Sequence, residues 1–238
     1  MISGLSTILK SNPALTILLI AHFLADFHLQ SQVVADRKSR EIKYLGIHLI
    51  WVAVPLIIAV VGIPKLWFVA LAIFFSHALL DYFKLDIAKL LRLKKTGSFV
   101  LDQLLHLLII VLLSFLTREM TLPSWISPTI LNLCLFLTLI TKPTNIAFRI
   151  FFQRFQPDEV EKMDTIPGAG ATIGLLERIV MGICIIFSQF ASIGLVFTAK
   201  SIARYNKISE SPAFAEYYLI GSLFSILSTL LAAWICFF

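Results

Sequence analysis

Long apolar runs alternate with short polar segments along the whole chain, and this alternation predicts an all-α, polytopic transmembrane helical bundle. A helix that crosses a membrane needs about 20 mainly apolar residues. Eight runs come close to this length, at about residues 14–35, 44–63, 66–84, 98–116, 124–141, 171–188, 190–205 and 214–236. The sixth and seventh runs are nearly continuous, so seven spans are the alternative to eight.

Lysine and arginine concentrate in every second connection between the predicted spans. Sixteen of the 20 basic residues lie in four connections, at residues 36–43, 84–97, 142–167 and 200–213. The opposite side holds Lys10, Lys65 and Arg118, and Arg178 lies within the sixth run. Because basic loops stay on the cytoplasmic side of a membrane, we predict that the four basic connections face the cytoplasm and that both termini lie outside.

The composition agrees with this interpretation. Hydrophobic residues make up 58% of the 238 positions, charged residues only 14%, and the mean hydropathy is +0.90. A soluble domain is about a quarter charged. Membrane topology accounts for the net charge of +6, so no nucleic-acid partner is predicted. The three cysteines are far apart and form no metal motif.

The longest polar connection divides the chain into two parts. We predict an N-terminal transmembrane bundle at residues 1–141, which carries every histidine, and a cytoplasmic linker at 142–167. Further transmembrane helices follow at residues 168–238. The linker is too short to show that the two parts are independent.

Histidine and aspartate recur four residues apart inside the predicted spans, a spacing that places both on one helix face. The pairs are His22 and Asp26, His77 and Asp81, and Asp102 and His106. The order reverses in the fourth span, which runs antiparallel to the first and third. All three aspartates are therefore predicted to lie nearer the cytoplasm than their histidines, with His48 in the same half of the membrane.

Carboxylates buried in hydrocarbon need protonation or a cation to neutralise them. A divalent metal provides the cation, and mixed nitrogen and oxygen ligands favour zinc, with manganese or iron as alternatives. The predicted metal ligands are His22, Asp26, His48, His77, Asp81, Asp102 and His106. Because this set exceeds one tetrahedral shell, the surplus could orient ligands, bind a second ion or supply a general base, for which Asp26 and Asp102 are the candidates. Hydrogen-bonded contacts between helices are the alternative to a metal centre.

Three basic side chains near the predicted cytoplasmic face are candidates for binding a substrate anion. Lys84 follows Asp81 by three residues, and Lys200 and Arg204 lie at the end of the seventh span. The alternatives are an interface anchor for Lys84 and an ion-paired helix junction for the other two.

The chain resembles a bacterial inner-membrane family known as domain of unknown function 3307 in four stretches, "AHFLADFHLQ", "GIHLIW", "SHALLDYFK" and "LDQLLH". The resemblance covers about residues 18–110. More distantly, the chain is similar to membrane-bound predicted metal-dependent hydrolases. These resemblances imply a multi-pass protein of the bacterial inner membrane, with the site on the seven ligands named above.

Three functions follow from these observations. The first is a metal-dependent hydrolase that acts from the cytoplasmic side on a lipid or amphiphile, with a phosphoester and an amide or ester both open. The second is an ion- or proton-coupled transporter with the cluster as a relay. A relay predicts that polar residues continue into the outer half of the spans, but that half is almost wholly apolar. The third is a structural or sensor subunit. A homo-oligomer stays open under each.

Overall fold

A computed structural model describes residues 5–117, 120, 122–157 and 168–238. Every regular element in these residues is helical, as the apolar pattern predicts. The α-helices are α1 (Ser6–Ser11), α2 (Pro13–Phe23), α3 (Gln32–Arg37), α4 (Ile42–Gly62), α5 (Trp67–Leu90), α6 (Lys95–Ser114), α7 (Pro128–Ile140), α8 (Lys142–Phe152), α9 (Ala169–Ile186), α10 (Phe190–Ala203), α11 (Tyr205–Glu210) and α12 (Pro212–Cys236). Short 3₁₀ turns occupy Pro64–Leu66, Phe115–Thr117 and Gln153–Phe155.

Six segments of the described residues are long and apolar enough to cross a membrane. They are Ile42–Gly62, Pro64–Leu90, Lys95–Thr117, Pro128–Phe155, Ala169–Ile186 and Pro212–Cys236. The first and seventh predicted spans correspond to shorter apolar helices, Pro13–Leu29 and Phe190–Ala203. The count of eight spans and the position of the termini therefore stay predictions.

The first predicted span, residues 14–35, is not one continuous helix. Helix α2 passes into a π-helical segment, Leu24–Leu29, and the backbone is extended at Gln30 with φ −75° and ψ 141°. The side chain of Ser31 then accepts a hydrogen bond from the Val34 amide and begins α3. The Gln30 side chain donates to the backbone carbonyl of Asp26. The polar pair Gln30–Ser31 thus ends the span without a proline or glycine to mark the break.

The chain divides into two compact units, Met1–Thr138 and Leu139–Phe238. Helix α8 lies inside the segment 142–167 that the sequence predicts as a linker. The remainder of that linker from residue 158 lies outside the described residues. The regular structure of the second unit therefore begins earlier than the predicted boundary at residue 168.

Four helices enclose the interior of the first unit. Helix α5 packs against α4 and α6, and α2 packs against the same two helices. One end of this interior is an apolar core formed by Ala14, Ala59, Ile63 and Leu66. Buried histidines and aspartates occupy the other end, where α3 joins α4, while buried Asn12, Thr16 and Ser114 lie beside the apolar core.

The second unit contains a buried arginine that connects helices. Arg178 on α9 donates to the carbonyl oxygen of Ile140 at the end of α7. It also donates to Asn145 Oδ1 at 2.6 Å and to Ser225 Oγ at 3.4 Å. Because a cation suits the carbonyl end of a helix, these contacts give Arg178 a structural role at the junction of α7 and α8.

Candidate metal centre

The interior of the first unit brings together all seven residues predicted as metal ligands. Each is at most 6% exposed. They lie on α2 and its π-helical extension, α4, α5 and α6, and they are His22, Asp26, His48, His77, Asp81, Asp102 and His106. The His–Asp pairs therefore converge in one interior, as their four-residue spacing on antiparallel helices predicts.

Four side-chain atoms form the middle of this cluster. The Nε2 atoms of His48 and His77 are 2.9 Å apart. Asp26 Oδ1 lies 3.4 Å from His48 Nε2 and 3.1 Å from His77 Nε2. Asp81 Oδ2 lies 3.1 Å from His48 Nε2 and 3.4 Å from His77 Nε2. With zinc–ligand bonds of about 2.0–2.1 Å, neighbouring donors of a tetrahedral site are about 3.3 Å apart. The five distances that involve an imidazole nitrogen are close to this value, and we call these four atoms the donor set.

The carboxylate oxygens of the donor set fit a cation. Asp26 Oδ1 and both oxygens of Asp81 are buried and accept no hydrogen bond of suitable geometry from the described residues, although Lys38 Nζ lies 2.9 Å from Asp81 Oδ2 as an ion-pair partner. A buried carboxylate oxygen without a donor is unfavourable unless a cation neutralises it. Ligand atoms of His48, His77 and Asp81 lie within 4.8 Å of one another. The same is true of two further groups, one with His22 and one with His106, and each of them shares a residue with the first group.

Two further imidazoles direct unshared electron pairs into the same interior. His106 Nδ1 donates to the backbone carbonyl of Asp102 at 2.8 Å, which leaves Nε2 of the neutral ring unprotonated. His22 Nε2 donates to Gln103 Oε1 at 3.2 Å and leaves Nδ1 unprotonated. Both remaining nitrogens are buried without a hydrogen-bond partner among the described residues. The ring centroid of His106 is 4.2 Å from that of His77, so these nitrogens lie beside the donor set.

Lys38 belongs to the cluster, although sequence analysis assigned it only to a basic cytoplasmic connection. Its Nζ atom lies 2.9 Å from Asp81 Oδ2, 3.0 Å from His48 Nε2 and 4.0 Å from Asp26 Oδ2. Burial alone would lower the pKa of Lys38, but the carboxylates of Asp26 and Asp81 raise it above its ordinary value. The turn between α3 and α4 places this lysine over the centre, and no helical spacing could indicate that.

Gln103 is a second residue that the sequence interpretation left out, because it lies one position beyond Asp102 and off the predicted stripe. Its Nε2 donates to Asp26 Oδ2 at 3.1 Å, and its Oε1 accepts from His22. Helix α6 packs against both α2 and α5, so two of its faces meet polar neighbours. The amide fixes the orientation of one histidine and one aspartate of the cluster.

Lys84 pairs with a carboxylate of the cluster. Its Nζ atom lies 2.8 Å from Asp102 Oδ2, and its side chain is 20% exposed. Asp102 was a candidate general base, and Lys84 was a candidate for binding a substrate anion. In this structure each is the other's counter-ion.

The other two basic candidates belong to the second unit. Lys200 donates to Glu177 Oε2 at 3.0 Å and to Ser222 Oγ at 3.3 Å. This is the ion-paired helix junction that the sequence left as an alternative. Arg204 follows α10, and its backbone amide donates to the carbonyl of Ser201. Their part in binding an anion stays a prediction.

Formal charge limits how many cations this buried cluster can hold. Three carboxylates, of Asp26, Asp81 and Asp102, face two ammonium groups, of Lys38 and Lys84. With neutral imidazoles the net charge is −1, and one divalent cation changes it to +1. A second divalent cation would bury a net +3, which is strongly unfavourable. The charges therefore favour one divalent ion accompanied by one anion.

Apolar side chains close the interior on the side away from Lys38. Leu18 and Ile110, four residues from His22 and His106 on the same helices, are 1% and 2% exposed. The apolar core of α2 and α4 lies beyond them. The charged cluster therefore lies at one end of the unit, near the turn between α3 and α4.

Comparison with known proteins identifies a family. The family described as Protein of unknown function (DUF3307) matches residues 14–133. No curated protein and no solved structure matches the chain, so the more distant similarity to metal-dependent hydrolases stays an expectation. The matched segment covers half of the chain and includes every residue of the donor set, and the protein belongs to the DUF3307 family.

Proposed function

We propose that the protein is an integral membrane metal-dependent hydrolase. It acts from the cytoplasmic side of a bacterial inner membrane on a lipid or another amphiphile. The observation that carries this proposal is the donor set, in which two imidazole nitrogens lie 2.9 Å apart and each lies 3.1–3.4 Å from one oxygen of Asp26 and one oxygen of Asp81 in a buried interior. Zinc is the preferred ion for these ligands, with manganese or iron as alternatives.

The remaining polar groups suit the hydrolysis of a bond near that ion. A divalent cation lowers the pKa of a coordinated water to about 7 and so makes hydroxide available at neutral pH. We assign the general base to His106, because its buried Nε2 lone pair has no hydrogen-bond partner among the described residues. The backbone carbonyl of Asp102 accepts a hydrogen bond from His106 Nδ1–H, and its carboxylate pairs with Lys84. His106 therefore replaces Asp102 as the preferred general base, and Asp102 positions His106.

An ion or proton relay is the second candidate function, and Lys38 is the observation that favours it. This lysine supplies a cation to Asp81 without any metal. A relay also needs a polar path to the other end of the unit. Buried Leu18 and Ile110 interrupt such a path one helical turn from the histidines, although buried Asn12, Thr16 and Ser114 lie beyond them. We therefore rank hydrolysis above transport.

Elemental analysis of the purified protein tests the proposal. We expect one zinc ion per chain in the wild type and loss of zinc in His77→Ala, because His77 Nε2 contacts all three other members of the donor set. His28→Ala is the matched control, since this histidine lies on the π-helical segment and its Nδ1 lies 3.3 Å from the Phe23 carbonyl. Wild type and control should then hydrolyse a member of a panel of phosphoesters and carboxylic esters that His77→Ala leaves intact. A wild type that binds no zinc, manganese or iron would contradict the proposal.

A further inference from the structure

A cleft adjoins the candidate metal centre. It has a volume of about 370 Å³ and is lined by residues 38–42 together with Leu45, Tyr82, Leu85, Asp86 and Lys89. Small-molecule sites typically measure about 300–1,000 Å³. Lys38 is among the residues that line the cleft, and its ammonium group, on a side chain that is 4% exposed, contacts the donor set. The cleft and the centre are therefore neighbours that share one residue.

The charges of the cleft favour an anion. Its lining includes three basic side chains, of Lys38, Arg40 and Lys89, and two acidic ones. Asp86 lies 3.8 Å from Lys89, and Glu41 lies 3.8 Å from a basic residue outside the lining. Each acidic group thus has a basic neighbour. Lys38 belongs to both sites, and its charge counts once. With one divalent cation the three carboxylates and Lys84 of the centre sum to zero and the lining sums to +1, so one anion in the cleft would neutralise both.

The lining also has an apolar side. Ile42, Leu45 and Leu85 belong to it, and Ile42 is 77% exposed. A purely inorganic anion would gain nothing from these side chains. An amphiphile with a charged head and an apolar chain would contact both kinds of surface.

Lys38 connects the two sites through His48. Its Nζ atom lies 3.0 Å from His48 Nε2. The single lone pair on this nitrogen can accept a hydrogen bond from the ammonium group or bind a divalent cation, but not both. Ligation of a cation by His48 therefore displaces the ammonium group, and repulsion between like charges favours its movement away from the centre. The cleft that Lys38 already lines is the adjacent space.

We propose that the cleft binds the phosphate group of an anionic amphiphile and that Lys38 turns from the donor set to this phosphate when the divalent cation binds. This inference rests on the proposed function, because it uses the loaded centre. It narrows the substrate from any amphiphile to one that carries phosphate. It also requires that cation and phosphate increase each other's affinity, since coupling between two sites is reciprocal.

Binding measurements on the full chain in detergent test this inference. Zinc-loaded protein, freed of unbound zinc, is titrated with inorganic phosphate in one arm and with dioctanoyl phosphatidic acid in the other. We expect the phosphate dissociation constant to rise by about fivefold in Arg40→Gln and in Lys89→Gln, as for an exposed charge pair, and by more than about tenfold in Lys38→Met. Lys65→Gln removes an exposed lysine outside the cleft and serves as the control.

The zinc content of the same samples separates the two proposals. If all variants hold zinc but bind both probes within about twofold of the wild type, the cleft inference is overturned while the proposed function stands. If the wild type holds no zinc, the proposed function and the cleft inference both fail, because Lys38 turns to the phosphate only in the loaded centre. Tighter binding of phosphatidic acid than of phosphate supports a lipid substrate, and equal binding supports recognition of the phosphate alone.

Discussion

Replacement of Lys38 by methionine separates a metal centre from a permanent ion-pair network. The substitution keeps the length of the side chain and removes its charge. In the wild type the ammonium group lies 2.9 Å from Asp81 Oδ2, and both side chains are at most 4% exposed. In Lys38→Met the carboxylate loses its nearest cation, and a divalent ion becomes the remaining source of positive charge.

The size of the effect follows from this geometry. Two unit charges 2.9 Å apart attract each other by about 6 kcal/mol at an effective dielectric constant of about 20. Desolvation offsets part of this attraction, and removal of one partner of a buried ion pair costs about 3–5 kcal/mol. We therefore expect Lys38→Met to be about 3 kcal/mol less stable than the wild type when a chelator is present.

Zinc should restore most of that loss. Zinc stabilises the wild type as well, so the difference shrinks only as far as the variant binds zinc more tightly. The variant lacks the ammonium group that competes for His48 Nε2, and about 30-fold tighter binding would recover about 2 kcal/mol. The difference from the wild type should shrink to within about 1 kcal/mol at saturating zinc. Asp81→Asn is the comparison, because it removes a member of the donor set and should gain little from zinc.

The assay is unfolding of the purified chain in detergent, with and without a chelator, followed by a reporter of folded protein. The metal interpretation would be refuted if zinc left the difference between Lys38→Met and the wild type unchanged. Lys38 would then be the permanent cation of the cluster, and the relay or structural alternatives would gain support.

Three further substitutions test individual contacts. His106→Ala should keep zinc and reduce hydrolysis by more than about 100-fold, because it removes the proposed base; zinc content and turnover on the same preparation check this. Gln103→Leu removes the hydrogen bonds to His22 and Asp26, so zinc affinity should fall by about 10–100-fold, and competition with a chelator would measure it. Arg178→Met should destabilise the second unit by about 3 kcal/mol by leaving the Ile140 carbonyl and Asn145 without their donor, with unchanged zinc content.

The sequence predicts the helical nature of the fold and the convergence of the histidines and aspartates, because both follow from periodicity. Residues His77 and Asp81 must share a face of α5 if they are four apart, and the reversed order on α6 brings Asp102 to the same end. Lys38 could not be found in this way, since a turn and not a helix places it. Its neighbours in the sequence are basic, and membrane topology explains them without any site.

Other differences come from local hydrogen bonding and from helix packing. The break after the π-helical segment depends on the side chain of Gln30 binding a backbone carbonyl, which hydropathy does not reveal. Helix α8 contains enough charged and polar residues to look like a linker, yet it folds as a helix. Gln103 joins the cluster because α6 has two packed neighbours, a fact of the tertiary arrangement that the spacing along one helix does not contain.

The pairing of acids with lysines bears on how this protein enters a bilayer during synthesis. An aspartate in the middle of a spanning helix costs about 2.5–3.5 kcal/mol on insertion scales. Asp26 and Lys38 are only 12 positions apart, and Asp102 and Lys84 are 18 apart, so two of the three acids emerge from the ribosome close in time to an internal cation. Adjacent segments can therefore partition into lipid as neutralised pairs, before any ion from the cell has been acquired.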